Sequence, residues 1–403
     1  MRYGCVLAVC CSMLFLATDH DVQAAGLPGN PSDPLTFVIS LDEQRLQAWR
    51  GPQMIAETSI SSGKAGYETP TGIFSVLHKS KFHRSNIYSN APMPWMQRLT
   101  WTGIALHQGV VPNRPASHGC VRLPDENAQT LFDLSGTGVH VVINPAMLVP
   151  RPIINPGLPQ PVPESTAGTS AAFALNQLGD TASDALPEPA ASVESANSAA
   201  LPLRVLITRR DRRGLVREAQ AILKQLGHYS NEVDGLMGSA TAAALKAFQQ
   251  LHGLAGSGIM DGQTRAALYK TIGTSLPSTG QMLVRQGFEP LFEVPIAIDA
   301  IEQPLGTHLF TVNSFEPTTG KTGWQVLTLA NRLDSYTRAI NEIAKDGSEN
   351  VEAEAALARI KVPPQTMARI AQLLTPGSSI AISDTGLGPY TGWKTDFVIT
   401  TKH

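Results

Sequence analysis

The feature that most constrains the fold is a repetition. CVRLPDENAQTLFDLSGTGVHVVIN, starting at Cys120, lies beside RIKVPPQTMARIAQLLTPGSSIAIS, starting at Arg359, at one fixed offset and without gaps. Pro124 meets Pro363, Leu131 meets Ile370, Gly138 meets Gly377, and Val141-Val142-Ile143 meet Ile380-Ala381-Ile382. Upstream, Pro70-Thr71-Gly72 followed by Phe74 is similar to Pro304-Leu305-Gly306 followed by Phe310. Chance gives either match alone; both in the same order point to two copies of one folding unit. Arg359 stands where the first copy has Cys120, and Leu357 where it has His118. The second copy is therefore expected to keep the framework and to be chemically dead.

A chain of 403 residues exceeds one ordinary core, so several domains are expected. Residues 1–24 read as a secretory signal: Arg2, an apolar run from Val6 to Ala17, then Val22-Gln23-Ala24 at the positions a signal peptidase reads. Segment 33–145 alternates short apolar runs with Gly/Pro turns. Two strands joined at Asp42-Glu43, further strands over 73–77 and 139–143, and a helix over 126–134 make a compact, mainly-β domain. Residues 79–100 read as a long loop whose Met93, Trp95 and Met96 are either packing or a substrate lid. Segment 146–203 is a Pro/Ala/Ser-rich linker, expected to let its two flanks move independently. Segment 211–273 has three helices at helical spacing, one of them carrying Leu215, Ala219, Ile222, Leu223 and Leu226 on one face. Asp234-Gly235 between the first two reads as structural. Segment 282–401 returns to a β-rich pattern and carries the second copy. The net charge of −2, the lack of a Lys/Arg run and the lack of a later apolar run of spanning length argue against nucleic acid and against a membrane span.

The chemistry concentrates in LHQGVVPNRPASHGCVRLP, from Leu106 to Pro124. Cys5, Cys10 and Cys11 lie in the signal, so Cys120 is left as a lone thiol, either a buried bystander or a reactive group. Its turn-forming neighbours Asn113, Pro115, Ser117 and Gly119, with His107 and His118 near, favour a nucleophile. A thiol needs a base or positive partial charge to become reactive at neutral pH. His107, at the end of a strand-like run, and His118, on the face of Cys120 if the backbone is extended, are the candidates. Gly119 would let backbone N–H groups approach a carbonyl oxygen, as an oxyanion hole requires. Arg122, on the same face, can bind a substrate carboxylate. A zinc site on His107, His118 and Cys120, and core histidines beside a buried thiol, are the rival readings. No cofactor and no metal is expected.

Ser117-His118-Gly119-Cys120-Val121-Arg122 with His107 upstream resembles the signature of L,D-transpeptidase catalytic domains, and Gly63-Lys64, Tyr67, Thr69-Pro70-Thr71-Gly72 and Phe74 resemble their supporting segment. The helical segment resembles a peptidoglycan-binding domain through Gln220, Leu223, Tyr229, Asp234-Gly235, Thr241, Phe248-Gln249, Asp261 and Thr264. The resemblance implies an exported, periplasmic enzyme whose Cys120 takes the acyl group of a peptidoglycan tetrapeptide stem, releases D-Ala, and passes the acyl group to an acceptor amine as a 3-3 cross-link. It implies His107 as general base, His118 as an assisting residue, Gly119 and Cys120 as oxyanion hole, and Ser117 and Arg122 as substrate-orienting residues. A neighbouring stem, a free D-amino acid and an outer-membrane protein stay open as acceptors. An L,D-carboxypeptidase and a non-catalytic wall-binding protein are the alternatives. Many members of the family carry Asn at the position of Arg122.

Overall fold

The computed structural model describes residues 33–85, 90–160, 201–210, 212–273, 279–315, 322–341, 343–344, 351–392 and 394–402. The expected signal and residues 161–200 of the expected linker lie outside them. The first part runs β1 (Leu35–Ser40), β2 (Arg45–Arg50), β3 (Gln53–Ser59), β4 (Gly72–Ser75), β5 (His78–Arg84), β6 (Pro92–Arg98), β7 (Ala105–Gln108), β8 (Val121–Leu123), α1 (Asp125–Leu134) and β9 (His140–Asn144). After it come β10 (Arg151–Ile153), β11 (Leu203–Arg209), α2 (Arg212–Gln225), α3 (Ser239–Leu251), α4 (Gly262–Thr271), β12 (Gly280–Gln286), β13 (Glu289–Ile298), β14 (Thr307–Phe315) and β15 (Thr322–Leu329). The chain ends with α5 (Ser335–Ile340), α6 (Ala353–Arg359), β16 (Ile360–Lys361), α7 (Pro364–Leu373), β17 (Ser379–Ser383) and β18 (Ile399–Thr400).

The duplication is visible in the strand order. The first sheet contains β4-β9-β1-β2-β3 and the second β14-β17-β11-β12-β13. In each, the first and last strands of the unit pair in parallel. Phe37 faces Val141 and Val205 faces Ile380, while β4 and β14 lie antiparallel on the far side of β9 and β17. Phe74 and Phe310 hold equivalent registers, opposite Val141 and Ile380. Gly72, however, matches His308 in register and not Gly306, because both face the equivalent isoleucines Ile143 and Ile382.

Two expectations about organisation change. The second copy takes its first strand, β11, from the last residue of the expected linker, Leu203, through Arg209, ahead of the helical segment, and the helices α2 to α4 are inserted between β11 and β12. In the first copy the same place holds only the short turn between β1 and β2. The flanks of the linker are also not independent. β18, at the C-terminal end, pairs with β4 of the first copy, and β10, which follows the first copy, pairs with β15 of the second.

Both faces of each sheet are covered, which is why β9 reads as a continuous apolar run and not as an alternation. Phe37, Ile39, Val141 and Ile143 face Leu106, Val121, Leu123, Ala128 and Leu131 in one core. Val38, Ile73 and Val142 face the other way, into a cluster with their own counterparts Leu206, Leu309 and Ala381. Equivalent residues meeting one another make this an isologous contact, of the kind two subunits of a symmetric dimer form.

Within 79–100 the described residues are not one long loop: β5 pairs antiparallel with β6. Met93 and Met96 are buried with Ala105 against Cys120, and Trp95 meets Phe132 edge-on at 5.5 Å, so all three pack. In the helical module, the Gln220 side-chain amide donates to Asp234, Leu236 and Thr241 while its oxygen accepts from Gly235 N–H. Gln249 does the same for the next loop, reaching Ile259, Thr264 and Gly258. These motif residues, Asp234-Gly235 included, hold the module's loops.

Candidate active site

The four-stranded sheet β5-β6-β7-β8 carries the site. Its inner face buries Leu106, Val121 and Leu123 against α1. By the two-residue period of strands, its other face presents the pairs Arg98–Ala105 and His107–Arg122. Above that face lies a cavity of about 330 Å³ whose walls include His107, Ser117, His118, Cys120 and Arg122. Five of the six residues proposed from sequence thus meet at one place, with Gly119 in the turn between two of them.

The turn itself departs from the extended backbone expected for His118 to Cys120. Residues 118–120 form a bend, with Gly119 at φ 108°. A Cβ there would stand 3.0 Å from Ile104 Cδ1. Only glycine adopts that conformation at no steric cost. His118 and Cys120 reach the cavity through this bend and not through a shared strand face. His118 is exposed and meets the Tyr67 ring edge-on at 4.7 Å.

The bend is fixed from behind. Ser117 Oγ accepts from Gly119 N–H at 3.1 Å and donates to Cys120 O at 2.5 Å. Ser117 N–H donates to Ser62 O, and Thr69 Oγ1 donates to Gly119 O at 2.9 Å. Ser62 is held by Gln44, whose side chain both donates to Ser62 Oγ and accepts from Ser62 N–H. Sequence reasoning passed over Gln44 and Ser62, since neither lies near the motif in the chain. Ser117 faces backbone on all these bonds, and Gly119 N–H is engaged by Ser117 Oγ.

His107 is buried, and its Nδ1 lies 2.6 Å from Gln108 O. A carbonyl oxygen only accepts, so Nδ1 carries the proton and Nε2 is the bare, basic nitrogen. Burial lowers the His107 pKa to about 4, against the raising effect of that hydrogen bond; the Arg122 charge also lowers it. Burial pushes the Cys120 thiol up, against the lowering effects of a backbone hydrogen bond from Ala105 and of the charges on Arg122 and Arg98. Cys120 Sγ donates to Gly103 O at 3.3 Å. At neutral pH the cavity wall therefore carries a thiol and a neutral imidazole, and not a thiolate and an imidazolium.

Arg122 lies along Gly109, where a Cβ would come within 3.0 Å of its Cγ and Cδ. Two further residues of the cavity wall were not named as site residues from sequence: Arg98, and His83, whose Nε2 is 3.3 Å from Arg98 Nη2. Their place in the wall is set by the pairing of β5 with β6 and of β6 with β7, which no local pattern in the chain shows. Among the described residues, no three His, Cys, Asp or Glu side chains converge as a metal-ion site. No described helix is long and apolar enough to cross a membrane.

Known families match two parts of the chain. The model of the L,D-transpeptidase catalytic domain matches residues 34–143, and that of a putative peptidoglycan binding domain matches residues 212–268. No curated protein matches the chain. Similar solved structures include an L,D-transpeptidase from Mycobacterium smegmatis, at 20% identity and TM-score 0.27, covering 28% of this chain and 59% of that one. Another, from Stackebrandtia nassauensis, has 25% identity and TM-score 0.26, covering 27% of this chain and 55% of that one. A third, from Xylanimonas cellulosilytica, has 28% identity and TM-score 0.25, covering 28% and 61%. The chain thus spans less than two thirds of each of these structures. It carries a segment of the L,D-transpeptidase catalytic-domain family at residues 34–143 and one of the putative peptidoglycan-binding domain family at residues 212–268.

Proposed function

We propose that the chain is an exported, peptidoglycan-modifying cysteine L,D-transpeptidase acting in the periplasm. The observation that carries the proposal is the pairing of a cavity-lining thiol, Cys120, with a cavity-lining imidazole, His107, whose Nδ1–H···O=C bond leaves Nε2 as a base. Both family matches concern one polymer, and residues 1–24 read as a secretory signal.

The reaction runs in two transfers. His107 Nε2 takes the thiol proton as Cys120 Sγ bonds to the carbonyl carbon after the third stem residue. The tetrahedral oxyanion then collapses, the C–N bond breaks, and the D-Ala amine leaves with the proton from His107. An amine of a neighbouring stem attacks the thioester, His107 accepts its proton, and the thiolate leaves to be reprotonated. The product is a 3-3 cross-link between two diamino acids. Cys120 N–H donates to the developing oxyanion in this reading, and Gly119 permits the bend at Cys120. Arg122 and Ser117 orient substrate and turn respectively, and His118 assists from the rim. The helical module holds the enzyme on the wall.

The test is product analysis of the full mature chain with a purified tetrapeptide stem. The reading predicts equimolar D-Ala release and a cross-linked dimer, both lost in Cys120→Ala. Release of D-Ala without dimer would make it an L,D-carboxypeptidase. Sedimentation with peptidoglycan and no product would leave a wall-binding protein.

A further inference from the structure

The two arginines of the cavity stand at different levels of the sheet, and the reacting pair is split between the same levels. His107 faces Arg122 across β7 and β8. Cys120 lies one step before the Leu106–Val121 pair, at the level of Ala105, and Ala105 faces Arg98 across β6 and β7. The nucleophile is thus level with Arg98, and the base is level with Arg122. In an acyl transfer the acyl residue bonds to sulfur, while the leaving amine departs toward the base. Arg122 therefore stands on the leaving-group side and Arg98 on the acyl-donor side.

Arg98 is built to stay in place. Its guanidinium lies 3.3 Å from His83 Nε2 and 5.9 Å from the Trp101 ring. Arginine only donates, so His83 must accept at Nε2 and stay neutral. Burial first, then the charges of Arg98 and His78, hold the His83 pKa below its ordinary value, in keeping with that role. None of the described residues lining the cavity is Asp or Glu, so no carboxylate of the wall neutralises either guanidinium. A partly enclosed, unneutralised guanidinium selects an anion over a neutral group of the same shape.

We propose that Arg98, positioned by His83, binds a free carboxylate on the side chain of the acyl-donor residue, so that the enzyme discriminates a third stem residue carrying a carboxylate from one carrying a carboxamide. The inference rests on the transpeptidase reading above and adds a specificity determinant to it.

The experiment uses the full mature chain and two tetrapeptide stems that differ only in carboxylate or carboxamide at that side chain, with D-Ala release as the readout. The expected kcat/KM ratio favours the carboxylate stem by at least about tenfold. Arg98→Gln is expected to lower kcat/KM on the carboxylate stem at least about tenfold more than on the carboxamide stem. Residual turnover of the carboxamide stem shows that the variant is folded. His83→Leu is expected to shrink the same ratio and His83→Gln, which keeps an acceptor, to restore it. Equal rates of the wild type on both stems, or an equal loss on both in Arg98→Gln, overturn the proposal and leave the transpeptidase reading intact. No release from either stem overturns both.

Discussion

His140 and Ser379 occupy the same place in the two copies of the repeat, and they touch each other: His140 Nε2 lies 2.9 Å from Ser379 Oγ. Around them the contact is polar and borders a cavity of about 330 Å³ lined by His140, Arg204 and Asp396. Arg204 of the second copy donates through Nε to Asp396 Oδ2 at 2.8 Å and through Nη2 to Gly138 O of the first copy at 2.7 Å. Ser75 Oγ donates to the same Asp396 oxygen. The second copy is therefore a built-in packing partner for the first.

A consequence is that the two copies unfold together. With shared strands, a common apolar cluster and this network, a single cooperative transition is expected for both in urea, seen by tryptophan fluorescence and by loss of Cys120 protection at the same midpoint. Arg204→Met leaves Asp396 buried without its partner and is expected to cost roughly 3–5 kcal/mol. Two well-separated transitions would contradict this.

Gly72 is where β18 closes on the first copy. It has φ 141°, and a Cβ there would stand 1.9 Å from Ile399 O. Thr71 beside it exchanges backbone and side-chain hydrogen bonds with Thr401. Gly72→Ala is expected to cost at least ~2 kcal/mol in urea unfolding, by backbone strain and by loss of β18.

Acid should weaken the fold through three histidines. Burial lowers His107 and His308 to about 4 and His140 to about 3. Unfolded, each returns to about 6.5, so between those values the unfolded chain binds more protons than the folded one. Their contribution is complete above about pH 6.5 and declines as pH falls toward the folded values. The unfolding free energy from urea titration is expected to drop between about pH 7 and pH 5, by on the order of a kcal/mol per histidine. His140→Gln and His308→Gln should flatten the slope.

The same shift sets the pH profile of catalysis. His107 accepts a proton only while neutral, which it is above about 4. The acidic limb of kcat/KM is expected near pH 4 to 5 and not near the ordinary imidazole value. Because the resting sulfur is a thiol, alkylation of Cys120 by iodoacetamide should be slow at neutral pH and accelerate on the alkaline side.

Much of this was legible in the sequence where neighbours in the chain are neighbours in space. The strands β1, β2 and β9, the helix α1 and the thiol with its histidines follow from local pattern. The register Val141 to Ile380 followed from the gapless match. What failed needed partners far away. β5 and β6 escaped because their polar residues cover one face of a hairpin whose alternation is broken by Pro92 and Pro94. β11 escaped because the inserted helical module separates it from β12. Arg98 escaped because its place beside Ala105 is set only by the register of β6 on β7.

Intact-mass measurement of the mature chain mixed with a tetrapeptide stem tests the central claim most directly. The account predicts an adduct of the stem less D-alanine, mapped to Cys120, absent in Cys120→Ala and much slower to form in His107→Ala. A chain that turns over the stem with no adduct on Cys120, or forms it equally fast without His107, would contradict it.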